Sequence, residues 1–242
     1  IRAENSFQME KTEESQSYLS DFMQKYPKHQ NINRILILLG DIQLQKNNTA
    51  LAKTYYYQAK SAKNDIQSGF RLLKLHLMLN EKSTADSIFQ EIKSASNQKN
   101  DSDYATILYC QYYEQIKDWK SINTLLNDYF QSVLKAPYTN FNSNEEILFF
   151  YQVNALIGLK ENEKAIEFIN QYTDSNEKKD YYKGLALINL QQISEGIGIL
   201  ENLSQSSQDP EIRSISFFQC ISILSQSDPE KVVEKLNNFL IN

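Results

Sequence analysis

Residues Leu36 to Ala59 read LILLGDIQLQKNNTALAKTYYYQA. Leu39-Gly40 lies in one apolar run, and Ala52, Tyr56 and Ala59 recur in the next at a spacing that shares one helix face. Asn48 or Thr49 offers a cap for the second run. Small residues stand where two helices would touch, and large ones where a third would press. The stretch therefore reads as a pair of helices, and the remaining chain can be searched for copies of it.

The search uses a small or modest apolar residue, a large one four further on and an apolar one seven further on. Forward of Ala52 the pattern returns as Ala85-Phe89-Ile92, Ile122-Leu126-Tyr129, Ala165-Ile169-Tyr172, Gly196-Leu200-Leu203 and Val232-Leu236-Phe239. Backward, Ser15-Leu19-Phe22 fits and is followed by Tyr26-Pro27. Successive anchors lie 37, 33, 37, 43, 31 and 36 residues apart, scattered about the ~34-residue period of a helix–turn–helix repeat. Twelve residues before each anchor from Ala52 onward stand Gly40, Leu73, Cys110, Val153, Gly184 and Cys220. Four of the six are Gly or Cys, in a chain with only 6 Gly and 2 Cys, so small side chains mark the places where paired helices approach.

This pattern resembles the tetratricopeptide repeat family, carried most clearly by Leu39, Gly40, Ala52, Tyr56 and Ala59, then by Ala85 with Phe89, and by Lys25-Tyr26-Pro27 closing a helix. The resemblance implies an all-α, right-handed α-solenoid of about six helix–turn–helix repeats. It would be a single domain over residues 1–242, with a partial first repeat at 1–27 and a long connection near 136–144. Ile122 and Val232 depart from the small residue the family places at the anchor. The segment YLSDFMQKYP followed by LGDIQLQ is also similar to repeats in bacterial envelope scaffolds of the barrel-assembly and Tol-Pal type.

Caps and breakers draft the helices. The first is expected from Thr12 to Tyr26, stopping before Pro27. Ser83 is a candidate cap for the helix carrying Ala85, and Asp209-Pro210 and Asp228-Pro229 each read as an N-cap followed by Pro at the first helical position. His76 falls on a helix expected over Ser68–Leu79. Ser94–Asp103 reads as an exposed polar loop. Ala136–Asn144 accounts for the 43-residue step, and its Tyr138 and Phe141 are expected to tuck back onto neighbouring helices, because exposed aromatic pairs are costly in solubility.

Composition excludes several classes. Six Gly and 4 Pro are too few to punctuate a many-stranded sandwich or barrel. A net charge of −5 gives no basic footprint for nucleic acid. No run approaches the ~18 apolar residues of a membrane helix, and no signal-peptide core is visible. The chain begins Ile1-Arg2-Ala3, the start expected of a processed or excised piece. Cys110 and Cys220 lie in apolar runs without a CxxC motif and read as buried core residues, a disulfide between them in an oxidising compartment being the alternative. Both cytoplasm and bacterial periplasm are compatible compartments.

Catalysis would need a nucleophile with its base, paired carboxylates, a metal cluster or a phosphate loop. His29 falls in a turn after a proline, and His76 among leucines reads as a buried, hydrogen-bonded side chain. Two histidines with no shared motif make no zinc site. Gly196-Ile197-Gly198 lies inside a helical pattern without a following Lys-Ser, and Glu13-Glu14 and Glu145-Glu146 open helices, where they complement the dipole. The expectation is a protein without enzymatic activity, cofactor or metal.

Tyr55-Tyr56-Tyr57, Tyr112-Tyr113, Phe149-Phe150-Tyr151 and Tyr181-Tyr182 are consecutive on helices. Neighbours point ~100° apart, so each group must serve more than one face. In the family the first helix of each pair lines the concave surface. Carried by offset from the anchors, that implies partner-binding positions at Ile37, Asp41, Phe70, Lys74, Ile107, Gln111, Phe150, Asn154, Tyr181 and Asn189. The positions where family members that clamp a terminal carboxylate offer basic residues are Ile37, Phe70 and Ile107 here, so such a clamp is not expected. The expected function is a non-enzymatic scaffold holding a peptide or helix of a partner protein. The alternative is a structural subunit buried permanently in a larger assembly, including a bacterial envelope one.

Overall fold

A computed structural model describes residues 12–62, 65–95, 98–132, 136–227, 232, 233 and 236. Among the described residues it is all helical, in the order α1 (Thr12–Lys25), α2 (Ile32–Gln45), α3 (Thr49–Ala62), α4 (Ile66–Met78), α5 (Lys82–Ala95), α6 (Lys99–Gln115), α7 (Trp119–Ser132), α8 (Ser143–Gly158), α9 (Asn162–Asn170), α10 (Glu177–Asn189), α11 (Ile193–Ser206) and α12 (Pro210–Ser227). The chain divides into two compact units, residues 1–112 and 113–242. In unit 1, α2 packs against α3 and α4 against α5, while α1 packs on α2 and the first helices α2 and α4 touch each other. In unit 2, α8 packs with α9 and α10 with α11, and α10 touches both α8 and α12.

The two helices of a pair are joined by the same turn five times. Asn47, Asn80, Lys117, Lys160 and Gln191 each adopt a left-handed φ between 56° and 64°. The N–H of the next residue returns to the carbonyl five positions back: Asn48 to Gln43, Glu81 to His76, Asp118 to Tyr113, Glu161 to Leu156 and Gln192 to Leu187, at 2.8–2.9 Å. The left-handed residue's own N–H bonds the carbonyl three back, completing a Schellman closure. The residue after the left-handed one then starts the second helix, its carbonyl accepting from the anchor N–H at Ala52, Ala85, Ile122, Ala165 and Gly196. The anchor therefore always lies five residues beyond the left-handed residue, and all five anchors are buried.

None of the five left-handed residues is glycine. Asn tolerates this conformation, whereas a Lys there carries the Cβ clash of the left-handed region. Lys117→Gly and Lys160→Gly are each expected to raise the unfolding free energy by about 0.5–1 kcal/mol, and Asn47→Gly by less. Urea-denaturation midpoints check the order.

The small positions do what their spacing implies. Gly40, Leu73, Cys110, Val153, Gly184 and Cys220 are all buried. A Cβ on Gly40 would overlap the ring of Tyr56, itself 1% exposed. A Cβ on Gly196 would lie 2.7 Å from the carbonyl oxygen of Gly184 and 2.6 Å from Ile188 Cγ1. Two backbones meet there with no room for a side chain. Cys110 and Cys220 are both buried and are not joined in a disulfide.

Successive pairs are also joined at their N-terminal edge by side chains reaching the cap of the next first helix. Asn33 donates to Asp65, which caps α4 by accepting from Ser68 N–H. Asn176, the cap of α10, donates to Glu146 of α8. Glu177 accepts from the Ser207 hydroxyl and from Gln208 N–H at 3.2 Å and Asp209 N–H at 3.4 Å, just before α12. The Ser207 bond, followed by that from Gln208, holds the Glu177 carboxyl below its usual pKa.

The connection between α7 and α8 tucks inward. Tyr138 is buried, its N–H donates to Gln171 O at 2.7 Å, and its carbonyl accepts from Thr173 N–H at 2.9 Å. Asp174 accepts from the Thr139 hydroxyl at 2.8 Å and Asn140 N–H at 2.7 Å. Tyr138 and Phe141 join Phe130, Phe149, Phe168 and Tyr172 in one aromatic cluster.

Four sequence expectations about boundaries need correction. Glu81, not Ser83, precedes the helix carrying Ala85, because the Schellman turn fixes where that helix starts. Lys99–Asp103 belongs to α6 rather than to a loop, its first turn carrying Asp101 where the helix dipole favours it. The first helix ends at Lys25, and the helix holding His76 runs from Ile66 to Met78. Asp209 does cap α12, accepting from Glu211 N–H at 2.8 Å. Asp228-Pro229 and Phe239 lie outside the described residues.

Candidate functional site

In unit 1 the first helices α2, α4 and α6 line a cleft of about 460 Å³. Leu44, Phe70, Leu75 and Leu108 form its apolar part, with Asp41, Gln45, Arg71, Lys74 and Tyr104 as the polar and aromatic margin. Helical spacing puts Lys74 beside both Phe70 and Arg71 on α4. Phe70 is buried and meets the half-exposed Tyr104 edge-on, with ring centroids 4.8 Å apart.

Asp41 organises this face. Its Oδ1 accepts from the Tyr56 hydroxyl at 2.7 Å and from Arg71 Nε at 3.0 Å, and its Oδ2 accepts from Arg71 Nη2 at 3.3 Å. Burial, then the hydrogen bond to Asp41 and its charge, push the Tyr56 phenol well above its usual pKa of 10.0, so it stays a neutral donor. Burial opposes the charge on Arg71, but Asp41 more than offsets it and the guanidinium pKa moves up. Lys74, one turn beyond Arg71, is exposed and makes no hydrogen bond or ion pair among the described residues.

A second polar row runs from α3 to the α4–α5 turn. The Tyr57 hydroxyl lies 2.9 Å from His76 Nε2, His76 Nδ1 bonds Glu81, and Lys53 Nζ donates to Glu81 at 2.8 Å. His76 is 1% exposed, the buried and hydrogen-bonded histidine expected from sequence. The bond from Lys53, then that from His76, holds the Glu81 carboxyl below its usual pKa. The row ties α3 to α4 and to the turn that leads into α5. Tyr57 lines neither the α2/α4/α6 cleft nor the cleft of about 310 Å³ beside Gly69 and Ile92. His29 Nδ1 accepts from Asn31 N–H at 3.2 Å, closing the turn before α2. Among the described residues no group of three or more His, Cys, Asp or Glu is arranged to hold a metal ion, and no helix is long and apolar enough to cross a membrane.

The ten positions carried from the resemblance divide by burial. Asp41, Phe70 and Lys74 come together around the unit 1 cleft. Ile37 and Ile107 are buried, with Ile37 packed beside Leu36 and Ala59, and Gln111 is exposed. In unit 2, Phe150 is buried, stacks on Tyr182 at 5.6 Å and lies under the Lys178 ammonium at 4.9 Å. Tyr181 is buried against Leu200, Leu203, Ile212 and Cys220. Asn154 donates to Glu114 at 3.0 Å, and the exposed Asn189 donates to Asn162 at 3.2 Å. Ile37, Ile107, Phe150 and Tyr181 thus serve helix packing, Phe70 is buried in the floor of the unit 1 cleft, and Asp41, Lys74, Gln111, Asn154 and Asn189 keep some exposure. Sequence reasoning missed Arg71, Tyr104 and Leu44. Arg71 meets Asp41 across 30 residues, and nothing local to either residue signals that meeting.

No protein-family model matches the chain, and no curated protein matches it in sequence. Solved structures do match. PilF of Pseudomonas aeruginosa is 15% identical with a TM-score of 0.54, over 84% of this chain and 88% of PilF. Cut9 of the APC/C hetero-tetramer Cut9–Hcn1 is 13% identical with a TM-score of 0.52, over 91% of this chain and 41% of Cut9. A tetratricopeptide repeat protein from Parabacteroides merdae aligns more loosely, at 13% identity and a TM-score of 0.42, over 89% and 94% of the two chains. PilF and Cut9 are both tetratricopeptide repeat proteins. With five identical pair turns, buried anchors at the repeat spacing and these two matches, the chain has the all-α tetratricopeptide repeat fold.

Proposed function

We propose that the chain is a non-enzymatic scaffold that holds a peptide or helix of another protein against the first helices of its pairs, and that residues 1–242 serve as one such domain. The observation that carries this reading is the α2/α4/α6 cleft, where an apolar floor, a half-exposed tyrosine and an exposed lysine converge. Apolar pockets edged by a few placed polar groups suit side chains of a bound segment. In the Cut9–Hcn1 hetero-tetramer the same fold is found in an assembly with another protein.

Affinity capture from the native source tests it, with wild type compared against substitutions at exposed first-helix positions: Tyr104→Ala, Gln111→Glu and Asn189→Lys. A partner held by wild type is expected to be lost or depleted with at least one of them. An identical partner profile from all three would sink the reading. A second reading, a structural subunit of a permanent assembly, draws on Met78 and Leu79 in unit 1 and Phe218 in unit 2, which are 59%, 41% and 62% exposed. Sedimentation as a stable monomer at micromolar concentration would count against it.

A further inference from the structure

The charges around the unit 1 cleft are unevenly committed. Two cations, Arg71 and Lys74, face one carboxylate, Asp41, in a chain whose net charge is −5. Asp41 spends both oxygens on Arg71 and one of them also on Tyr56. Its geometry is that of a carboxylate docked on a guanidinium, so Arg71 already holds an internal ligand. Lys74 stands one helical turn away, exposed and with its ammonium unpaired among the described residues, beside apolar Leu44, Phe70, Leu75 and Leu108. A cleft of about 460 Å³ lies in the lower half of the ~300–1,000 Å³ typical of ligand pockets, room for a few side chains rather than a folded domain.

We propose that this cleft binds a peptide segment in which acidic residues alternate with large apolar ones, Lys74 pairing the segment's carboxylate while Asp41 competes with it for Arg71. This rests on the scaffold reading above and adds the chemistry of the partner. Opposite charge at the margin of an interface fixes register and selects against wrong partners. The apolar floor supplies area that an acidic segment lacking large side chains could not use. Asp41 lowers the cleft's affinity for any incoming carboxylate, because the incomer must share or displace a partner already in place.

The probe is a capped, fluorescein-labelled heptapeptide of alternating aspartate and leucine, with asparagine–leucine, lysine–leucine and aspartate–serine counterparts, read by fluorescence anisotropy on the full chain. The aspartate–leucine peptide is expected to bind and the other three to bind at least about fivefold more weakly, the scale of an ion pair at a partly exposed margin. Lys74→Glu, at an exposed position that leaves the fold intact, should weaken binding about tenfold, and Lys74→Ala by less. Asp41→Asn keeps an acceptor for the Tyr56 hydroxyl but releases Arg71, and should tighten binding a few-fold. Equal binding of the asparagine–leucine peptide, indifference to Lys74→Glu, failure of Asp41→Asn to tighten, or full competition by a short oligothymidylate would each overturn the proposal. So would no binding by any peptide. Binding that depends on leucine but ignores both charge substitutions would overturn the acidic specificity while leaving the scaffold reading standing. The scaffold reading fails only on its own partner capture, which uses none of these variants.

Discussion

Phe149→Ala is expected to lower the unfolding free energy by about 3–5 kcal/mol, the range for truncating a fully buried aromatic. Phe149 is 0% exposed and central to the aromatic cluster of unit 2. It stacks on Phe168 at 4.7 Å and 16° and meets Tyr172 at 5.0 Å, Phe150 at 5.4 Å, Phe141 at 5.7 Å, Tyr138 at 5.9 Å and Phe130 at 6.1 Å. Such pairs add to the burial of the ring itself, and the rings come from α7, the long connection, α8, α9 and the residues after α9. The cavity left by alanine would release the connection first, because Tyr138 and Phe141 dock it through this ring. Amide exchange at Tyr138 and Thr173, the two N–H groups of the bridge at Gln171 and Tyr138, should quicken more than exchange in α10. Ile147→Ala, on an exposed side of the same helix, should cost only roughly 0.5 kcal/mol. Similar losses from the two substitutions, by urea denaturation, would show that the cluster is not what holds the connection.

Gly196→Ala and Gly198→Ala should move stability in opposite directions from positions two residues apart on α11. An added methyl at Gly196 meets the Gly184 carbonyl oxygen at 2.7 Å and Ile188 N at 3.1 Å. Backbone atoms cannot turn aside as the end of a flexible side chain can, so α10 and α11 must separate, at about 1–3 kcal/mol. At Gly198 nothing lies within 4 Å of the added atom, and alanine should stabilise the helix by about 0.5–1 kcal/mol. Thermal or urea midpoints that shift in the same direction would refute the close contact.

The pair architecture was legible because it depends on residue size at fixed spacing. Gly40 against Tyr56 and Gly184 against Gly196 put their requirement directly into the sequence, as did Asp209 before Pro210. The inward tuck of Tyr138 and Phe141 was also legible, from solubility alone. The turns were only partly so. Asn47 and Asn80 carry the preference for a left-handed C-cap, whereas Lys117, Lys160 and Gln191 carry none, and the constant five-residue step to the anchor emerges only from the hydrogen bonds. The candidate binding face was the least legible part. Offsets from the anchors place a residue on a helix, but burial depends on what the next pair presses against it, so Ile37, Ile107, Phe150 and Tyr181 went to packing and only Phe70 of the apolar set lines the cleft. The Asp41–Arg71 pair, made between helices of successive repeats, has no local signature at all.

The recurrent Schellman turn also divides the chain into places that tolerate a change of length and places that do not. The left-handed residues follow one another at intervals of 33, 37, 43 and 31, yet the step from each to its anchor never varies. All variation in repeat length is therefore confined to the remainder of each period, the 136–144 connection being the largest instance. One residue inserted between Asn47 and Ala52 would rotate the second helix by ~100° against the first and carry Ala52 away from its buried position. One residue inserted near Asn140, in an exposed turn, leaves every pair in phase. The chain reads as a succession of fixed two-helix words with elastic spaces between them, and the spaces are where it can lengthen without putting any pair out of phase.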